Sequence, residues 1–176
     1  MRALQLYAPK TDRAEYEKAV QLAASWLVKA TPKTDEDRVW RLQGLAWAGR
    51  DKDAAAKGMR ELAGAQRPDG GWAQMASLGS DAYATGRVLV ALQAAGMPVS
   101  DPVYRRGVQF LLNSQMEDGS WNVRTRALAF QPYFETGFPH GVDQSISAAG
   151  TSWATMALTL ASAKSGGKTA TAAPPE

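Results

Sequence analysis

Apolar positions along this chain recur every three to four residues, and no segment shows the strict alternation of a strand. Between 12 and 29, Tyr16, Val20, Ala23 and Leu27 fall at helical spacing on one face, with charged residues between them. The stretch Ala30-Thr31-Pro32-Lys33-Thr34 breaks that pattern. Thr34 is then placed to cap a second helix, whose acidic first turn (Asp35, Glu36, Asp37) suits the positive end of a helix dipole. That helix is expected to stop at Gly49, a residue that adopts the left-handed cap conformation easily. A third helix is predicted over 51–66, and a fourth from Ser80-Asp81 to Gly96-Met97-Pro98. The fifth opens on Ser100-Asp101-Pro102, with proline in the first turn, and runs to Gln115. The sixth is predicted over 148–163, where Trp153, Met156, Ala157 and Leu160 form a stripe. The fold class is therefore all-α. Residues 1–11 read as an N-terminal extension, 12–163 as one helical repeat domain, and 164–176 as a low-complexity tail expected to be disordered.

The strongest organisational signal is repetition. Gln66-x-x-Asp69-Gly70-x-Trp72 and Gln115-x-x-Asp118-Gly119-x-Trp121 lie 49 residues apart, each at the end of a predicted helix. The helices that follow align as Asp81-Ala82-Tyr83-Ala84-Thr85 with Thr151-Ser152-Trp153-Ala154-Thr155. That spacing of 70 leaves 21 extra residues in the second connection. Arg41 to Gly49 echoes Val88 to Gly96 as a weaker copy without the loop. Three helical hairpins result, with the first, third and fifth helices in one layer and the second, fourth and sixth in another. Within each loop, Gln66 or Gln115 is expected to bond the last carbonyls of its helix, since a primary amide both donates and accepts. Asp-Gly supplies a tight turn, and Trp72 or Trp121 covers the junction with an indole. Nothing in these loops has nucleophile–base spacing, so they read as structural clips.

Composition adds exclusions. The 176 residues (18.9 kDa) are 45% hydrophobic and 21% charged, as in a soluble single-domain protein. Cysteine is absent, which excludes disulfides, thiolate zinc sites and a cysteine nucleophile. The net charge is +3 with a pI near 9.3, but basic and acidic residues are interspersed, as in Asp51-Lys52-Asp53 and Arg60-Glu61. Without a contiguous basic stripe, no nucleic-acid partner is expected. No apolar run approaches the roughly 20 residues that span a bilayer, so no transmembrane segment is expected. Met1–Lys10 lacks the apolar core of a secretory signal, and the absence of cysteine suits a reducing or an oxidising compartment equally.

The two loops resemble the QW repeats of squalene–hopene and oxidosqualene cyclases, and the related loops of protein prenyltransferase β-subunits, over residues 12–163. The resemblance implies an α/α toroid, two concentric rings of helices around an apolar cavity that holds an isoprenoid chain. With three hairpins, this chain corresponds to half of such a ring. Its inner face would need cover from a second copy or from a missing N-terminal half.

Class II members of that family open one inner helix with Asp-x-Asp-Asp-Thr, whose middle Asp protonates an alkene or epoxide. In Asp81-Ala82-Tyr83-Ala84-Thr85, Asp81 and Thr85 match, whereas Tyr83 takes the acid's place and Ala84 its neighbour's. A phenol with a pKa near 10 is too weak for that task. The cyclase acid is thus missing, and no catalytic residue is assigned. Asp81 reads as a helix N-cap, with proton donation as the alternative. The prenyltransferase zinc set of Asp, Cys and His does not carry over to a chain with no Cys and a single His140, so no metal or cofactor is expected.

The segment 122–146 exceeds structural need. It holds Tyr133, Phe134, Glu135, Phe138, His140 and Asp143 around Thr136-Gly137-Phe138-Pro139, and Gly-Phe-Pro resembles a phrase near the C-terminus of squalene cyclases. It reads as a plain loop or as a lid over a site. His140 with Asp143 or Glu135 is the sharper alternative, a metal or acid–base pair. Ser145, Ser147 and Ser152 make no recognisable nucleophile motif. The candidates for lining a ligand are Tyr83, Tyr133, Phe134, Phe138, His140, Asp143 and Trp153. The expected function is a cyclase-like domain without the acid that binds an isoprenoid, another apolar ligand or a partner domain. Two alternatives stand beside it: part of an active triterpene cyclase (an isomerase) whose acid lies elsewhere, and a non-catalytic dimerising scaffold.

Overall fold

The computed structural model describes residues 1–49, 51–126 and 133–165. The tail expected to be disordered lies outside the described residues from 166 onward, as do 127–132 of the long insert. Among the described residues every regular element is helical: α1 (Arg2–Tyr7), α2 (Arg13–Lys29), α3 (Asp35–Ala48), α4 (Lys52–Gly64), α5 (Ala82–Ala94), α6 (Pro102–Ser114) and α7 (Gln144–Ser165).

Local chemistry sets the helix ends. Thr34 and Asp37 form a reciprocal capping box at α3, and Gly49 ends that helix in the left-handed region at φ 67°. Backbone N–H bonds from Lys33 and Thr34 hold the Asp37 carboxyl below its ordinary pKa. Asp51, Asp81 and Asp101 cap α4, α5 and α6 by accepting from Ala54, Ala84 and Val103 N–H, each at 2.8 Å. Two elements depart from the sequence pattern. α7 begins one turn before the expected residue 148, because Gln144 turns inward and is buried. The N-terminal extension contains α1, too short for a periodic signal, which lies across the first hairpin with Gln5 Nε2 donating to the Trp47 carbonyl at 2.8 Å.

The layers are those the repeat implies. α3, α5 and α7 pack side by side as the inner layer, and α2, α4 and α6 lie against them from outside. One core joins Leu42, Leu62, Leu89, Leu92, Tyr104 and Leu111 with the indoles of Trp72 and Trp121.

The clips work differently from expectation. Helix-end carbonyls are bonded by tryptophan: Trp72 Nε1 donates to the Leu62 carbonyl of α4 at 2.7 Å, and Trp121 Nε1 to the Leu111 carbonyl of α6 at 2.9 Å. Gln66 instead donates to Gly70 and to the Val103 carbonyl in the first turn of α6, tying its loop to the next outer helix. Gln115 donates to Gly119 at 3.0 Å. An amide side chain at the helix exit points along the loop, whereas the indole folds back over the helix. Gly70 and Gly119 make the expected tight turns, at φ 86° and 82°. The first hairpin lacks the loop, and there Arg41 of α3 bonds the Leu27 and Val28 carbonyls near the end of α2.

The structure also corrects the repeat register. Trp72 N–H donates to Thr85 Oγ1 and Trp121 N–H to Thr151 Oγ1, both at 3.0 Å. Thr151 is therefore the partner of Thr85, not of Asp81. The inner helices are related by 66 residues (85 to 151) rather than 70, and the second connection carries 17 extra residues rather than 21. A shift of four is about one helical turn, so both alignments put the same face inward.

α5 and α7 approach at backbone distance. A Cβ on Gly86 would lie 2.6 Å from the Trp153 carbonyl carbon and 2.7 Å from the Ala154 nitrogen, so only glycine fits.

This packing sets the cost of single substitutions. Trp72→Ala and Trp121→Ala each cost about 3 kcal/mol or more, through lost burial and an orphaned carbonyl, measured by denaturant unfolding. Gly86→Ala forces two helix backbones apart and costs upward of roughly 1–3 kcal/mol. By contrast, Gly64→Ala, with nothing within 4 Å of the added carbon, is neutral or stabilising by less than about 1 kcal/mol. The buried Tyr104 hydroxyl has no hydrogen-bond partner, so Tyr104→Phe raises stability by about 1 kcal/mol. Burial also raises the Tyr104 pKa. Below pH of about 10 the phenol is neutral in both states. As pH climbs past that value the unfolded chain ionises first and stability falls, so the Phe variant's advantage widens in melts above pH 10.

Candidate functional site

The registers given by the caps and clips bring three positions into line. Thr34 and Asp81 are both N-caps, 47 residues apart, and Thr85 and Thr151 both receive a tryptophan N–H. By those spacings Trp40 of α3, Arg87 of α5 and Trp153 of α7 are equivalent residues on neighbouring inner helices. They form a row across the inner layer. The Arg87 guanidinium carbon lies 4.2 Å from the Trp40 ring centroid, 5.2 Å from that of Tyr83 and 5.6 Å from that of Trp153.

Arg87 is the centre of this wall. Its side chain is 1% exposed, and its Nη1 pairs with the Glu36 carboxylate and donates to the Tyr83 hydroxyl at 3.1 Å. That hydroxyl in turn donates to Glu36 at 3.3 Å. The remaining edge of the guanidinium, Nε and Nη2, is buried with no hydrogen-bond partner. Burial raises the Tyr83 pKa above the ordinary tyrosine value, partly offset by the positive charge of Arg87. Tyr83 is thus an even weaker acid than a free phenol. Trp40 is 48% exposed and Met156 46%, which leaves apolar surface on the solvent side of this layer.

Asp81 is fully engaged as an acceptor. Its Oδ1 caps α5 and its Oδ2 receives Arg126, which also donates to Gln74 at 2.9 Å.

The insert forms a second cluster near the entrances of α5 and α7. Val123 exchanges backbone bonds with Ser147 Oγ, and Thr125 N–H donates to Asp143. Gln144 Oε1 accepts from Thr136 N–H at 2.7 Å, and its Nε2 donates to the Phe134 carbonyl at 2.8 Å. His140, in the left-handed region at φ 86°, has its Nε2 2.8 Å from Ser120 Oγ, and that hydroxyl donates to Asp118 at 2.6 Å. Ser120 Oγ thus stands between the Asp118 carboxylate and the His140 ring, whose Nδ1 lies 3.4 Å from Asn122 Nδ2. The bond from Ser120 holds the Asp118 pKa below its usual value. This arrangement ties the insert to the second clip loop.

The seven lining candidates therefore divide between two places. Tyr83 and Trp153 share the wall around Arg87. Phe138 packs edge-on against His140 at 6.3 Å, and Asp143 holds the base of the insert. Tyr133 and Phe134 are 58% and 77% exposed, and Tyr133 bonds Glu135. Neither His140–Asp143 nor His140–Glu135 appears as a bonded pair; the carboxylates of Asp143 and Glu135 bond backbone N–H groups instead. Among the described residues no group of three potential metal ligands comes together, and no helix is long and apolar enough to cross a membrane. The sequence reading missed Arg87, Glu36 and Trp40. A lone arginine within Val88-Leu89-Val90-Ala91-Leu92's helix was the available signal, since such a cation needs a partner.

Comparison with known proteins agrees with this architecture. A profile of the squalene-hopene cyclase C-terminal domain matches residues 38–172. A probable squalene–hopene cyclase of Sinorhizobium fredii is 38% identical over 68 residues, which are 39% of this chain and 10% of that protein. The aligned part thus spans about a tenth of that relative's length. With an all-helical two-layer fold, duplicated tryptophan clips and a profile match over most of its residues, the chain belongs to the squalene–hopene cyclase C-terminal domain family.

Proposed function

We propose that this domain binds an elongated apolar molecule of isoprenoid type along the aromatic face of α3, α5 and α7, and that it supplies no cyclising acid. The observation that carries this reading is the state of Tyr83. By the resemblance of Asp81–Thr85 to the family's acid motif it stands where the acid would be, burial makes it a weaker acid still, and its hydroxyl donates to Glu36. The electrostatics of the wall point the same way. A carboxylic acid strong enough to protonate an alkene must stay neutral until it reacts, whereas a carboxyl beside Arg87 would be held ionised. A carbocation formed here would also face a fixed guanidinium. What remains is surface suited to contact: the half-exposed faces of Trp40 and Met156, with Trp153 and Tyr83 beside them.

A second reading draws on the similarity to a probable squalene–hopene cyclase. In that reading the segment is one wall of an active cyclase whose acid lies in another part of the gene product. Squalene given to the complete gene product would then yield a cyclic triterpene.

Titration of the purified protein with squalene and with a long-chain polyprenol, followed by tryptophan emission and native mass spectrometry, tests the main proposal. Saturable binding is expected, weakened up to about tenfold by Trp40→Ala or Trp153→Ala, with both lipids recovered uncyclised. No uptake of either lipid, or uptake indifferent to both substitutions, would sink it.

A further inference from the structure

A buried arginine with half of its donors idle is an unusual thing to find in a folded chain. The guanidinium has two edges that can each grip an oxyanion. In Arg87 the Nη1 side is taken by Glu36 and the Tyr83 hydroxyl, whereas the Nε and Nη2 atoms, which share the other edge, are buried and unpartnered. Arginine stays protonated, so these N–H groups cannot be silenced by losing a proton, and their burial is costly until an acceptor arrives. Nε and Nη2 together form the planar fork that matches two oxygens of a carboxylate or phosphate. We propose that this edge of Arg87 is a binding site for one oxyanion group, seated between the Trp40 and Trp153 rings.

The site rests on the aromatic-wall reading and sharpens it. The apolar part of a ligand lies on Trp40, Trp153 and Met156, and its anionic head takes the free edge of Arg87. Three features make this a built site. Trp40 and Trp153 hold the guanidinium from neighbouring helices, at 4.2 Å and 5.6 Å from their ring centroids. Glu36 and Tyr83 fix its orientation by binding only the opposite side. Trp40, half exposed, puts one wall of the site at the surface. Glu36 has a second effect, because its negative charge lies close enough to weaken any anion bound to the same guanidinium. Its neutral isostere should therefore bind anions more tightly.

The test compares dodecanoate, dodecyl phosphate and dodecanol, which share a chain and differ in the head, with squalene, acetate and inorganic phosphate as further arms. Binding is read by tryptophan emission and calorimetry at neutral pH. Dodecanoate or dodecyl phosphate is expected to bind about tenfold or more tighter than dodecanol, the size of a charge-assisted bond. Arg87→Lys keeps the charge but loses the fork, and should bring acid and alcohol to within about twofold of each other. Glu36→Gln should tighten the anionic probes severalfold relative to dodecanol measured on the same variant. Acetate or phosphate matching the amphiphiles would keep the oxyanion site and assign it to a free anion. Amphiphile-only binding assigns it to a lipid head group. If dodecanol and squalene bind while the anionic head adds nothing in the parent protein and in Glu36→Gln, the oxyanion site is refuted and the aromatic wall survives. If no probe binds, both fall. The parent comparison needs no variant, so a poorly folding Arg87→Lys does not blunt the result.

Discussion

Each outer helix of this domain is fastened near its C-terminus, where backbone carbonyl groups accept N–H groups from a side chain further along the chain. For α2 the carbonyls are those of Leu27 and Val28 and the donor is Arg41; for α4 the pair is Leu62 and Trp72; for α6 it is Leu111 and Trp121. A helix end leaves carbonyls that must find partners, and a buried end cannot find them in water. Supplying the donor from the next inner helix, or from the loop that leads to it, makes that local need set the tertiary arrangement. The indoles then hand their backbone N–H to Thr85 and Thr151, which fixes how far each inner helix slides along its neighbour. Remove that constraint and the inner row has no reason to align.

The row in turn depends on how closely the inner helices sit. Gly86 lets α5 meet the backbone of α7 at Trp153 and Ala154, and Gly107 lets α6 settle onto Trp72. Such contact brings Trp153 to Arg87 from one side while Trp40 comes from the other. Both the core and the wall therefore use the same small residues. Packing and site chemistry are not separable here.

Much of this was legible from the chain. Caps such as Thr34, Asp81 and Asp101, and the Gly49 stop, mark helix ends because each acts within a few residues, and the duplicated Gln–Trp loops reveal the layering. What could not be read was anything decided by a contact between distant turns. The register of the second repeat slipped by four residues because one turn of a helix restores the same inward face, and only the Thr151 hydroxyl distinguishes the two. The tasks of glutamine and tryptophan were exchanged because both side chains can donate to a carbonyl, and geometry chooses. Apolarity does not say which way a loop residue faces, and Tyr133 and Phe134 stand exposed on the insert. Glu36 was explained by the helix dipole, a sufficient local reason that hid its pairing with Arg87 across 51 residues.

On the proposed reading, the phenol of Tyr83 and the cation of Arg87 are best understood together. Aromatic faces attract cations, and in this wall the cation is a permanent one supplied by the protein. A guanidinium four residues from Tyr83, one helical turn away, would ionise a carboxyl at that position, so an aspartate there would lose the proton that cyclisation requires. Conversely, with a phenol in that place nothing opposes the arginine, and Glu36 balances its charge. The inner layer keeps the family's frame of helices and clips, and on the proposed reading its electrostatics suit holding a ligand rather than protonating one.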